Sequence, residues 1–357
     1  MKKSVKIFLV IMLAIIVILL ILFAILMLTE YKPKDVEQLN VEGNATKVLN
    51  LEEKVKILTY NIGYLSLDKT QDFFLDGGTS VRPKTNENVL KNLDGVNEII
   101  ASQNPDICLL QEVDLRAKRS YYINEYEKIS EKFNGTSTFS MYHRCLCIPY
   151  PIFNMVGYVE AGMTTLNKYN NVSTRIALLS AYSFPMKQVM FKRNLLKQVI
   201  DIKDSYKKLV VFNLHLEAYD DGGVRLKQLN ILKDEMLKEY EKGNYVIAGG
   251  DFNQTFPVVD NKKYPVLDDK NFVANVIPSD FIGKNLKYAI DDSLPTCRLL
   301  NKPYSGNYQD TQLYVLDGFI VTNNVKINEV KVIDTNFEYT DHQPVLLDFT
   351  LQSEEVE

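Results

Sequence analysis

Residues 8 to 28, FLVIMLAIIVILLILFAILML, are apolar without interruption over about the length needed to cross a bilayer as a helix. A cleavable signal peptide is the rival reading, but its apolar core is usually shorter and ends at a small-x-small site, whereas this run ends LMLTEYKPK. The run is therefore read as an uncleaved single-pass anchor after a short tail, residues 1–7. Lys2, Lys3 and Lys6 precede it and Lys32 and Lys34 follow, a slight asymmetry that favours an inside N-terminus and a domain on the extracytoplasmic side of the cell membrane. Residues 29–54 are polar and charged with no period, and read as a stalk.

From Val55 to about residue 352 the pattern alternates between strand and helix. Val89, Leu90, Leu93, Val96, Ile99 and Ile100 recur at helical spacing, and Asn104-Pro105 ends that helix. DICLLQEV, KKLVVFNLHL, YVIAGGDFN, VLDGFIV and PVLLDFT read as strands. Leu226, Leu229, Leu232, Met236 and Tyr240 line a second helix, closed by Gly243-Asn244. The set predicts one α/β domain with a short tail, 353–357, after it.

The chain has 357 residues, 46% of them hydrophobic, which excludes a disordered or fibrous protein. Net charge is -4 and no dense basic block follows the N-terminus, so tight electrostatic capture of nucleic acid is not advertised, though a local groove is compatible with it. Of four cysteines, Cys108 lies within an apolar strand and reads as a buried thiol. Cys145, Cys147 and Cys297 leave a disulfide open, without the spacing of a zinc site.

Chemistry enters with the polar residues that end these strands: Asn61, Glu112, His215, Asp251 with Asn253, and Asp341 with His342. Each alone is compatible with an ordinary solvated side chain. In layered α/β folds, however, ligand groups collect on loops at one edge of the sheets.

The ordered set TYNIG, LLQEVD, FNLHLEA, AGGDFNQ, LDGF and TDHQP resembles the endonuclease/exonuclease/phosphatase superfamily, over residues 55 to 350. The resemblance implies a four-layer α/β sandwich, with two mainly antiparallel sheets face to face and helices outside. It implies a metal site of Asn61, Glu112 and Asp341, with Glu112 the principal ligand of Mg²⁺ and Mn²⁺ the alternative ion. Oxygen donors of this kind suit a hard cation. Asp251 is implied to orient or activate water and Asn253 to bond the phosphate. Asp317 is implied to hold the ring of His342 against the phosphate, and His215 to be the candidate acid for the leaving oxygen.

GMTTLNKY departs from the family's usual strand, no carboxylate partner for His215 is securely placed, and Glu160 is the one guess for it. His143 matches nothing in the family and reads as structural or surface. Tyr60, Arg119 and Arg225 are candidates for phosphate contact or for surface roles. The function expected is a membrane-anchored, Mg²⁺-dependent phosphodiesterase with a monomeric catalytic domain, nucleic acid its first substrate class. A phospholipid headgroup or a sugar or inositol phosphate is the alternative substrate. A non-catalytic binding protein on the same fold is the remaining reading, and an intact constellation speaks against it.

Overall fold

A computed structural model describes residues 2–220, 223–260 and 262–353. Its first element, α1 (Lys2–Leu28), is exposed along nearly its whole length. An exposed helix that is apolar on every face is not a core helix; it has the length and composition of a membrane anchor or a signal sequence.

Fourteen strands form two seven-stranded sheets. In chain order they are β1 (Val36–Gln38), β2 (Glu42–Gly43), β3 (Lys54–Asn61), β4 (Ile107–Ala117), β5 (Thr136–Ile148), β6 (Gly157–Asn167) and β7 (Asn171–Ala177). Then follow β8 (Asn194–Asp201), β9 (Lys208–His215), β10 (Tyr245–Asp251), β11 (Leu286–Ala289), β12 (Asp317–Thr322), β13 (Val325–Val332) and β14 (Val345–Leu351). One sheet has the order β1-β7-β8-β9-β10-β12-β11, the other β13-β14-β3-β4-β6-β5-β2. Only β3 with β4 and β9 with β10 are parallel within these sheets.

The two-residue period of the strands sorts their side chains into layers. Val55 and Ile57 of β3 face Val211 of β9 and Ile247 of β10 in the core between the sheets. Leu58 and Tyr60 point the other way, onto Val89, Leu93, Val96 and Ile100 of α2 (Asn86–Gln103). Val210, Phe212 and Leu214 likewise meet Leu229, Leu232 and Met236 of α4 (Gly223–Tyr240) on the far side. A shorter helix, α3 (Glu125–Ser130), lies between them in sequence and adds Ile129 to the α2 layer. Helix, sheet, sheet and helix make the four-layer sandwich. Leu226, expected on the apolar face of its helix, turns outward instead, and buried Arg225 and Gln228 occupy the inner face.

The stretch 29–54 is not a free stalk. Its β1 pairs with β7, β2 pairs with β5, Lys47 bridges Tyr169, and Leu49 is buried in the core between the sheets. It carries no hydrophobic period because it is held through backbone hydrogen bonds to sheet edges, which ask little of the side chains. The expected C-terminal tail lies outside the described residues except for Ser353, whose hydroxyl donates to Glu52 Oε1 at 2.8 Å.

Candidate active site

Strand register gathers the site. Asp251 at the end of β10 sits opposite His215 at the end of β9 and Asp317 at the start of β12, so three polar side chains fall on one row of the sheet. Asn61 ends β3 beside Gln111 of β4 on the facing sheet. The next residue, Glu112, occupies a bulge where the pairing of β4 with β6 skips between Leu110 and Val113, and its φ of +56° is left-handed. Such a conformation at a carboxylate costs of the order of 1–3 kcal/mol and re-aims the side chain. Gly250 answers to another demand: its φ is +151°, and a Cβ there would lie 2.0 Å from the carbonyl oxygen of Leu214.

After β10 the chain makes a tight turn, with Asp251 Oδ1 accepting from the backbone N–H of Asn253 at 2.8 Å. Arg225, buried in α4, donates through Nη1 to the carbonyl of Asn253 and through Nε to Asp220 Oδ1 at 3.1 Å. The other oxygen of Asp251 faces the site. It accepts from Asn61 Nδ2 at 3.0 Å and lies 3.5 Å from His215 Nε2 and 3.7 Å from His342 Nε2. His342 Nδ1 donates to Asp317 Oδ2 at 2.8 Å. Glu112 Oε1 is 3.8 Å from His215 Nε2, and Asp341 Oδ2 is 3.9 Å from His342 Nε2.

All eight expected site residues therefore stand at one edge of the sandwich. Two are engaged otherwise than expected. The oxygen of Asn61 accepts from Gly63 N–H at 3.0 Å while its amide nitrogen steadies Asp251, so as it stands it positions a carboxylate rather than offering an oxygen to a cation. The amide nitrogen of Asn253 donates to the carbonyl of Leu216 at 2.9 Å.

The electrostatics follow from burial. Glu112 is pushed up to about 8, by burial first and then by the charge of Asp341. Burial and the nearby cations Arg193 and His342 hold His215 well below its ordinary value, so the ring is neutral in the free protein. Burial alone would lower His342 too, but Asp317, with Asp341 and Asp251 also near, outweighs it and keeps the imidazolium. Asp341 is raised by burial. Four carboxyl groups around one charged ring leave an excess of negative charge in a dry place, and the donors are oxygens. That is the donor set a divalent cation satisfies, with Glu112 and Asp341 the groups that would hold it.

Several neighbours carried no signal in the sequence. Arg193 is buried, its guanidinium stacked on Phe191 and Tyr142, with Nε 3.9 Å from Glu217 Oε2. The Tyr142 ring stands edge-on to His215, and its hydroxyl meets that of Tyr64 at 3.3 Å. Cys297, weighed as half of a disulfide, is one of four free thiols and lies beside Asp341 and His342.

The guessed partner of His215, Glu160, instead pairs with Arg144 at 3.2 Å. His143 is structural, accepting burial and a contact to the carbonyl of Val189 at 2.9 Å, and is pushed down to about 3 chiefly by desolvation. Arg119 forms a two-armed pair with Asp114 and stacks on Tyr64, Tyr60 is fully buried, and Arg225 braces the turn after Asp251. All three are internal, because each sits under the site rather than on its rim.

Comparison with known proteins places this arrangement. A profile described as "Endonuclease/Exonuclease/phosphatase family" matches residues 58–263. A search of curated proteins returned no match. Among solved structures, an endonuclease/exonuclease/phosphatase from Beutenbergia cavernae is similar with a TM-score of 0.60 at 15% identity, over 86% of this chain and 74% of that one. One from Bacteroides vulgatus gives 0.53 at 17%, over 84% and 100%. The human nocturnin catalytic domain, with bound sulfate, gives 0.51 at 14%, over 88% and 97%. At these identities the likeness is one of fold.

Proposed function

The chain belongs to the endonuclease/exonuclease/phosphatase family of metal-dependent phosphoester hydrolases, and on that premise we propose that it is a membrane-anchored, Mg²⁺-dependent phosphodiesterase. The observation that carries the reading is the shared edge where Glu112, Asp251, His215, Asp341 and the Asp317–His342 pair converge within hydrogen-bond or ion-pair reach of their neighbours. Glu112 and Asp341 would hold a divalent cation, which would supply Lewis-acid stabilisation of charge on the phosphate.

The residues of the chain do the rest. Charged His342, fixed by Asp317, donates from Nε2 to a non-bridging phosphate oxygen. Asp251, aimed by Asn61, orients the attacking water and takes its proton as the oxygen–phosphorus bond forms. His215 is neutral until substrate arrives. The negative charge of a bound phosphate raises its basicity, so that it can carry a proton and give it to the departing oxygen. The bond from phosphorus to that oxygen breaks, leaving an alcohol and a phosphomonoester.

Nucleic acid stands first among substrates on the sequence alone. The place where α1 joins the domain, beside the β7–β8 loop, moves a phospholipid headgroup forward. The test is hydrolysis of DNA, RNA, phospholipid vesicles and bis(p-nitrophenyl) phosphate by the full chain, with Mg²⁺ and with EDTA. Glu112→Gln should remove most activity without unfolding the protein. Mg²⁺ should also raise the melting temperature more at pH 8 than at pH 5. The raised Glu112 carboxyl stays protonated in the metal-free fold while the unfolded chain ionises, so the metal-free protein loses stability as pH rises from about 4.5 to 8 and the cation restores it. Full activity in EDTA, or no melting shift, would refute the metal assignment.

A further inference from the structure

Two connections stand apart from ordinary surface loops in composition. Residues 149–156, PYPIFNMV, join β5 to β6 and carry no charge, and residues 178–193, LLSAYSFPMKQVMFKR, join β7 to β8 and carry no acid, with Lys187 their one charge before the closing Lys192 and Arg193. Water-facing loops are built from polar and turn-forming residues. Here Ile152 is 71% exposed, Phe153 103% and Phe184 60%, with Tyr150, Leu179 and Met186 exposed beside them.

Topology puts both loops at the edge of the sandwich that holds the site. Leu195 at the start of β8 pairs with Leu214, next to His215, and the β5–β6 hairpin closes beyond Glu112, where Ala117 pairs with Val159. The β7–β8 loop lies against β5, since the ring of His143 meets that of Phe191 at 4.4 Å and its Nε2 lies 2.9 Å from the carbonyl of Val189. Phe191 in turn meets Tyr142, which meets His215.

The apolar helix comes down at the same place. Phe23 of α1 packs edge-to-face on Phe184 at 5.7 Å, Glu30 pairs with Lys192 at 3.0 Å, and Arg175 Nη1 donates to the carbonyl of Lys34 at 2.7 Å. Phe23 lies five residues before the last helical residue, Leu28, or about 7.5 Å back along the axis. If α1 spans a bilayer, Phe184 is within it to the depth at which interfacial segments bury their apolar side chains, about 5–10 Å. Aromatic and aliphatic residues without acids are the composition of that layer.

We propose that the 149–155 and 179–190 loops seat in the bilayer interface beside the anchor and hold the mouth of the site against the membrane, so that it faces phosphodiesters at the level of lipid headgroups. The proposal rests on the reading of α1 as an anchor and on the phosphodiesterase reading of the site. Neither loop belongs to the catalytic constellation.

The chain has no tryptophan, so a single introduced one reports its own surroundings. The full chain is reconstituted in phosphatidylcholine–phosphatidylglycerol vesicles, with and without brominated acyl chains, as Phe153→Trp, Phe184→Trp and Tyr206→Trp. Tyr206 is 83% exposed between β8 and β9, at the opposite edge of the sheet. Bromolipid should cut emission of the first two by about half and leave the third unchanged. Ile152→Asp with Phe153→Asp should lower hydrolysis of vesicle phospholipid about tenfold and leave bis(p-nitrophenyl) phosphate within about twofold.

Retention in vesicles after alkaline carbonate, without quenching at either loop, overturns the docking surface. Release by carbonate overturns the anchor and the proposal with it. Blue-shifted emission without quenching assigns the face to a second copy of the chain and overturns the proposal. Hydrolysis of DNA in solution but not of vesicle phospholipid overturns the substrate side, whereas loss of all activity with quenching intact is a failure of the phosphodiesterase reading alone.

Discussion

Asp317 and His342 are 25 positions apart in sequence and 2.8 Å apart in the fold, both nearly inaccessible to water. Replacing Asp317 with asparagine keeps the shape and removes the charge. A hydrogen bond to a charged group contributes about 1.5–3 kcal/mol. At 1.36 kcal/mol per factor of ten, the loss in kcat/KM should be about 10- to 100-fold. The sign of the pH effect is set by the raised pKa of His342: the stabilising charge is fully present below the ordinary histidine value and is lost as pH rises through the folded value. Asp317→Asn lowers that folded value, so the alkaline limb of the activity profile moves to lower pH. The imidazole C–H resonance of His342, followed by NMR, should titrate at lower pH by the same amount. His342→Ala removes the shared interaction, and the double variant should be no worse than His342→Ala within about threefold. Multiplicative losses with unmoved pH profiles would mean that Asp317 is a strand carboxylate with no hold on the ring.

Two further outcomes test the framework of the site. Gly250→Ala should destabilise the protein by about 3 kcal/mol or more in urea unfolding, because the new Cβ meets backbone rather than a movable side chain; a change under about 0.5 kcal/mol would show that β9 and β10 can part there. Leu49→Ala should cost about 2–4 kcal/mol if that residue fills the core between the sheets. A free stalk would give a change within about 0.5 kcal/mol.

What could be read from the sequence was set by which forces leave a periodic trace. Long helices and buried strands do, and the α2 period and the β9, β10 and β14 runs are where the pattern placed them. Strand-end polar residues also stand out against apolar runs, which is why Glu112, His215, Asp251 and His342 were visible. Residues that act through tertiary contact leave none. Arg119 and Arg225 look like surface cations in sequence, yet each is buried because one partner, Asp114 or Asp220, neutralises it from five positions away. Glu112's bulge is equally silent. Nothing in LLQEVD announces a left-handed carboxylate, and only the skipped register of β4 against β6 produces it.

The edge strands fix how the sandwich sits on α1. A flexible stalk of some 25 residues would let the domain turn freely, and the direction of the site would carry no information. Here the chain leaves α1, makes an ion pair at Glu30, pairs through β1 with one sheet and β2 with the other, and buries Leu49 between them before β3 begins. Each of those attachments removes rotational freedom between helix and sandwich. β3 then runs straight to Asn61, so the segment that fixes the helix is continuous with the strand that supports Asp251. The orientation of the site relative to α1 is thus a property of the fold.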